Sequence, residues 1–267
     1  MTRQPDFTGV WIKIERAKEH INDLQARVER FEQGEPYSVV SYCELDTGDL
    51  VFKVKVSDQP PLYWSAIAGD CVHNLRSSLD LLVCEMVRAN DKPVTSATAF
   101  YIAKSASAFE SLYNERIQGT PPAAVDLIKE AKPYKGADNL FWRLHRLDIA
   151  DKHKLLVPVV MEQGFGVHHL APIKEIEVFI PSNVGVPLKD DTEIYRIAAR
   201  GVSDPVKQMR MYPHFAFGVA FGEVEVAEGE PLIPTLHQLA QFVEGFIELF
   251  PPLFRQECPP DMLPSRG

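Results

Sequence analysis

A chain of 267 residues with 45% hydrophobic side chains can bury a full core, which excludes a disordered polymer. Its 28 basic and 37 acidic residues leave a net charge of −9, which speaks against broad electrostatic affinity for nucleic acid or anionic membrane but leaves room for a local basic pocket. Residues Met1 to Asp6 are polar and no run reaches the roughly 18 apolar residues of a membrane span, so a soluble, cytoplasmic protein without membrane contact is expected.

In residues 9–33, Ile14, Ile21 and Val28 recur on one heptad position and Ala17, Leu24 and Phe31 on another. The pattern predicts an amphipathic helix with one narrow seam, packed within the chain or used as a homodimer arm, and ended by Gly34 and Pro36. Tyr37–Glu44 and Leu50–Val56 flank Asp-Thr-Gly-Asp and predict a hairpin with one wet face. A long helix follows over 62–89, then shorter ones over 105–117 and 121–132, the latter opened by two prolines suited to a first turn. A second charged helix is expected over 139–154. From 155 the chain turns rich in Val, Ile, Phe and Tyr, with strands expected at 155–161, 173–180, 192–199 and 214–226. A last helix over 234–250 stacks Leu236, Leu239, Val243, Phe246, Ile247 and Phe250 before Pro251 and Pro252.

The fold class that follows is α+β: a helical layer with an N-terminal hairpin, then an antiparallel sheet and a closing C-terminal helix. A single domain over 1–256 is expected, helical to about 154 and strand-rich beyond, with a loose tail over 257–267. Cys43, Cys71, Cys84 and Cys258 make no Cys-x-x-Cys pair, and free thiols suit a reducing compartment.

The two charged helices carry the functional signal. On the first, Ile67, Ala68, Cys71, Val72, Leu75, Leu79, Leu82, Val83 and Met86 form an apolar stripe, with His73, Arg76, Ser77 and Asp80 opposite it. The next two turns are apolar nearly all round, which predicts an enclosed Asp80 paired with Arg76 one turn back. On the second, Leu140, Leu144, Leu147 and Leu155 mark the core side, yet Asp148 and Asp151 project onto it, with His145 and Lys152 at its margin. Buried charges need partners, so a network is expected that sets these carboxylates against Arg76 and His73. Such a network is either a structural clamp or a site for a small ligand or protein partner. His73, Asp80, His145, Asp148 and Asp151 are also metal-ligand types, but without tight ligand spacing, and His168-His169 would point to opposite faces of a strand. No metal and no cofactor are therefore expected.

Two resemblances add to this reading. Arg146, six residues, then His153 resembles the Arg-His motif of HEPN-type helical ribonucleases, although Leu147 stands where that family commonly has a polar residue. The resemblance implies metal-independent attack of an RNA 2′-hydroxyl by these two residues, with RNA as the partner. His-Asn-Leu-Arg-Ser-Ser-Leu-Asp at 73–80, the Asp-Lys-His run at 151–153 and Gly229-Glu-Pro-Leu resemble a family of uncharacterised bacterial proteins over about 64–250, which implies a shared fold and leaves function open. No Gly-rich phosphate loop or serine-hydrolase elbow is present, and Cys71 falls in the apolar stripe, where a thiolate is disfavoured.

Overall fold

The computed structural model describes residues 3–137, 140–168, 177–179, 187–198, 212–222 and 225–254. The chain is α+β, as its pattern of periods requires. In order it forms α1 (Thr8–Gln33), β1 (Tyr37–Cys43), β2 (Leu50–Val56), α2 (Trp64–Ala89), α3 (Ala106–Arg116), α4 (Pro122–Glu130) and α5 (Phe141–His153). Then come β3 (Pro158–His168), β4 (Glu177–Phe179), β5 (Glu193–Ala198), β6 (Tyr212–Phe221), α6 (Leu232–Ile247) and a short 3-10 turn, Pro251–Phe254. No helix among the described residues is long and apolar enough to cross a membrane.

Two compact units divide the chain: residues 1–18, 71–148 and 237–267 in one, residues 19–70 and 149–236 in the other. In the first unit, Phe100, Phe141, Phe246 and Phe250 form an aromatic core, with ring centres 5.0 Å apart for Phe100 and Phe141 and 5.1 Å for Phe246 and Phe250. Edge-on and tilted rings at these separations add attraction beyond their buried area. In the second unit the sheet order is β1-β2-β5-β4, all neighbours antiparallel, and β3 with β6 makes a separate two-stranded ribbon. The N-terminal hairpin is thus part of the four-stranded sheet. Its strand β2 is central, and Leu50, Phe52 and Val54 face a core shared with Val160, Leu188, Ile194, Tyr195 and Ile197.

The seam of α1 is buried within the chain from Val10 to Val28, so a homodimer through this helix would have to use its other face. Two boundaries moved with consequences. Helix α5 ends at His153, so Leu155, expected on its core side, falls in the connection to β3 and is 46% exposed. Strand β6 starts two residues earlier than expected and stops at Phe221, where Gly222 donates its N–H to the Val157 carbonyl at 2.9 Å. Most of the strand expected at 173–180, His169, and the tail with Cys258 lie outside the described residues.

Candidate functional site

Helix α2 presents His73, Arg76, Ser77 and Asp80 because residues three and four apart share a face. The structure sorts them into two groups. Arg76 is nearly enclosed, its side chain 12% exposed, and its guanidinium lies 2.7 Å from the Asp80 carboxylate. The other guanidinium nitrogen donates to the Phe100 carbonyl at 2.8 Å, while the Phe100 N–H donates to Asp80 Oδ1 at 2.9 Å. The 2.7 Å contact lies off the N–H direction and is ionic rather than an aligned hydrogen bond. Phe100 sits in an irregular stretch between α2 and α3, where no helix or ladder could satisfy its peptide groups. One ion pair therefore completes both, and holds the backbone of a ring at the centre of the aromatic core. Asp80, expected to be enclosed, is 39% exposed, because the Phe100 backbone covers the arginine and leaves the carboxylate's outer edge open.

The second group joins α2 to α5 within the first unit. His73 Nδ1 lies 3.1 Å from Asp148 Oδ1. A carboxylate only accepts, so Nδ1 carries the proton and the neutral ring's Nε2 is an acceptor. Ser77 Oγ, one turn on, stands 3.4 Å from that Nε2 with its hydroxyl able to donate. Asp148 is buried, 3% exposed, whereas the His73 side chain is 53% exposed. A buried carboxylate thus fixes a half-exposed imidazole whose far nitrogen lies beside the Ser77 hydroxyl, an arrangement that can orient a general base. Beside it, Lys13 Nζ donates to the Asn74 side-chain oxygen at 3.0 Å.

The remaining sequence-selected residues fall elsewhere. Asp151 packs its carboxylate against Gly69 of α2, so closely that a Cβ at residue 69 would overlap it. His145 lies beside Trp142, ring centres 5.9 Å apart. The Arg146 guanidinium and the Lys135 ammonium approach the same indole at 5.9 and 5.8 Å. Lys152 and His153 are exposed at the end of α5. Arg76 meets Asp80 and Phe100, and the interhelical contact expected of it is made by His73 instead. Among the described residues no group of three or more His, Cys, Asp or Glu comes together as a metal would need. Cys43, Cys71 and Cys84 are free thiols, and burial pushes the Cys71 thiol up to about 12, which makes it inert.

Sequence reasoning missed the part played by Ser77 and Gly69. Both left a signal. Ser77 is four residues from His73, and a glycine inside a helix, unfavourable by about 1 kcal/mol against alanine, marks a close approach. The fold and this cluster define an α+β protein with a hydroxyl–imidazole–carboxylate chain set on helices. No family model, no curated protein and no solved structure matches the chain.

Proposed function

We propose that the chain acts through His73, as a site where the imidazole Nε2 accepts a proton or hydrogen bond from a small ligand or partner, with Arg76 and Asp80 beside it as a structural clamp. The observation that carries this reading is the contrast in burial: a fully covered Asp148 behind a half-exposed imidazole. A ring used only for packing gains little from such a position, while a base needs one nitrogen anchored and the other open. In ester cleavage the Ser77 hydroxyl attacks the carbonyl as its proton passes to Nε2, and Nε2 returns that proton to the departing alcohol, leaving the acyl group on Ser77. A water that gives its proton to the same Nε2 then attacks the acyl group, the acid is released, and Nε2 hands the proton back to the serine oxygen.

Hydrolysis of p-nitrophenyl acetate tests this. His73→Asn keeps an N–H near the Nδ1 position for Asp148 and removes the accepting nitrogen. The wild-type rate above buffer should fall by about a hundredfold in that variant, the lower range for a positioned base. A wild type no faster than buffer, or an unimpaired His73→Asn, would overturn it.

A second reading is favoured by α5. Arg146 is held over Trp142 and His153 is exposed on the same helix. In this reading the two residues cleave RNA without a metal, as the HEPN resemblance implies: His153 takes the 2′-hydroxyl proton and Arg146 steadies the phosphorane. Incubation of wild type and His153→Ala with mixed RNA in EDTA decides it, since intact RNA with wild type, or equal cutting by the variant, removes the reading. The free thiols support a reducing compartment, and with it the cytoplasm, for either function.

A further inference from the structure

From Leu155 into β3, the more exposed Leu155, Val157 and Val159 alternate with the buried Leu156, Pro158 and Val160, the burial pattern of an extended chain. An extended chain turns successive side chains to opposite faces. Leu156 and Val160 are fully buried, so the outer face belongs to Leu155, Val157 and Val159, and it is apolar where a solvated strand face would be polar. These three residues form one wall of a cleft of about 700 Å³ in the second unit, within the roughly 300–1,000 Å³ of small-molecule sites. Pro187 and Gly222 add to the lining, and a Cβ at Gly222 would press on the Val157 carbonyl and the Val159 side chain at 3.0 and 3.1 Å. The glycine thus lets β6 end against this wall.

The charged groups lining the cleft, among the described residues, are both cationic: Lys154 and Lys189, each exposed. Asp190 and Asp191, next in the chain to Lys189, lie 3.7 and 2.7 Å from Lys55 Nζ. We propose that this cleft binds a single-chain anionic amphiphile, its hydrocarbon on Leu155, Val157 and Val159 and its carboxylate between Lys154 and Lys189. The apolar wall supplies affinity in proportion to the area it removes from water, and the lysines supply selectivity for charge. This goes beyond the His73 reading and does not depend on it.

Calorimetric titration of the full chain with dodecanoate, below its aggregation concentration, tests the proposal against dodecyltrimethylammonium and against phosphatidylglycerol vesicles. Saturable 1:1 binding of dodecanoate is expected, with the cation at least about tenfold weaker. Leu155→Asp, at an exposed position, should abolish binding, and Lys154→Glu with Lys189→Glu should reverse the charge preference. The circular dichroism melting curve confirms that each variant is folded. Absent or non-saturable dodecanoate binding, equal affinity for the cation, binding to vesicles without binding of free dodecanoate, or folded variants that bind as wild type does would each overturn it.

Discussion

Gly69 and Asp151 show how one missing side chain positions another. Gly69→Ala gains helix propensity worth about 1 kcal/mol, but its methyl group would overlap the Asp151 carboxylate. Overpacking of this kind typically costs about 1–3 kcal/mol, so urea unfolding should find the variant no more stable than wild type, and Asp151→Ala on that background should recover the loss. A stabilised Gly69→Ala single variant would show that the approach of α2 and α5 can relax. Glu32 gives a pH signature. Burial, and then the nearby Glu29, push its carboxyl above the usual 4.5, although the Val219 N–H opposes the shift. Between the unfolded and the raised folded value the folded chain holds the extra proton, so stability falls as pH rises through that window. Glu32→Gln should therefore raise the unfolding midpoint at pH 7, with the gain fading below about 4.5, the unfolded value. A lower midpoint at pH 7 would contradict that sign.

At the scale of elements, two arginines do different jobs. Arg76 serves an irregular segment, and Arg76→Ala leaves the Phe100 carbonyl and part of Asp80 without their partner. Hydrogen bonds to charged groups contribute about 1.5–3 kcal/mol, so a loss of about 2–3 kcal/mol is expected, and Arg76→Lys should restore little because an ammonium lacks the fork. Arg196 on β5 reaches Glu193, and also Glu44 and Asp49 at the turn of the β1–β2 hairpin, at 2.8, 2.7 and 3.2 Å. Its hydrogen bonds hold the Glu44 carboxyl below its ordinary range, a contribution present at neutral pH and lost as pH falls through the folded value. Arg196→Met should speed amide exchange in β1 ahead of the helices, and unchanged protection in β1 would show that the sheet alone holds the hairpin. The elements themselves were legible because each repeats a period: the α1 seam at 3.5, the alternation of β2 at two, the prolines that open α4. What the periods could not show is pairing. Nothing in Leu50–Val56 says that its open edge meets Glu193–Ile197, 140 residues later, because register depends on partners rather than on local pattern.

For the whole molecule, the polar residues singled out by helical projection lie on α2 and α5, but they divide in a way the projection does not show. Helical projection places Asp148 on the core side, and it is buried there. Projection could not see that the irregular stretch of backbone at Phe100 would take Arg76 and Asp80 for itself, leaving His73 to reach α5. One polar cluster is divided into a clamp at Arg76 and Asp80 and a half-exposed imidazole at His73. Urea unfolding of His73→Asn beside Arg76→Ala distinguishes the two roles, because they carry different costs at neighbouring positions on α2. Arg76→Ala should lose about 2–3 kcal/mol, while His73→Asn, which keeps a donor for Asp148, should stay within about 1 kcal/mol of wild type. A His73→Asn variant as unstable as Arg76→Ala would contradict it, and would make the imidazole part of the clamp.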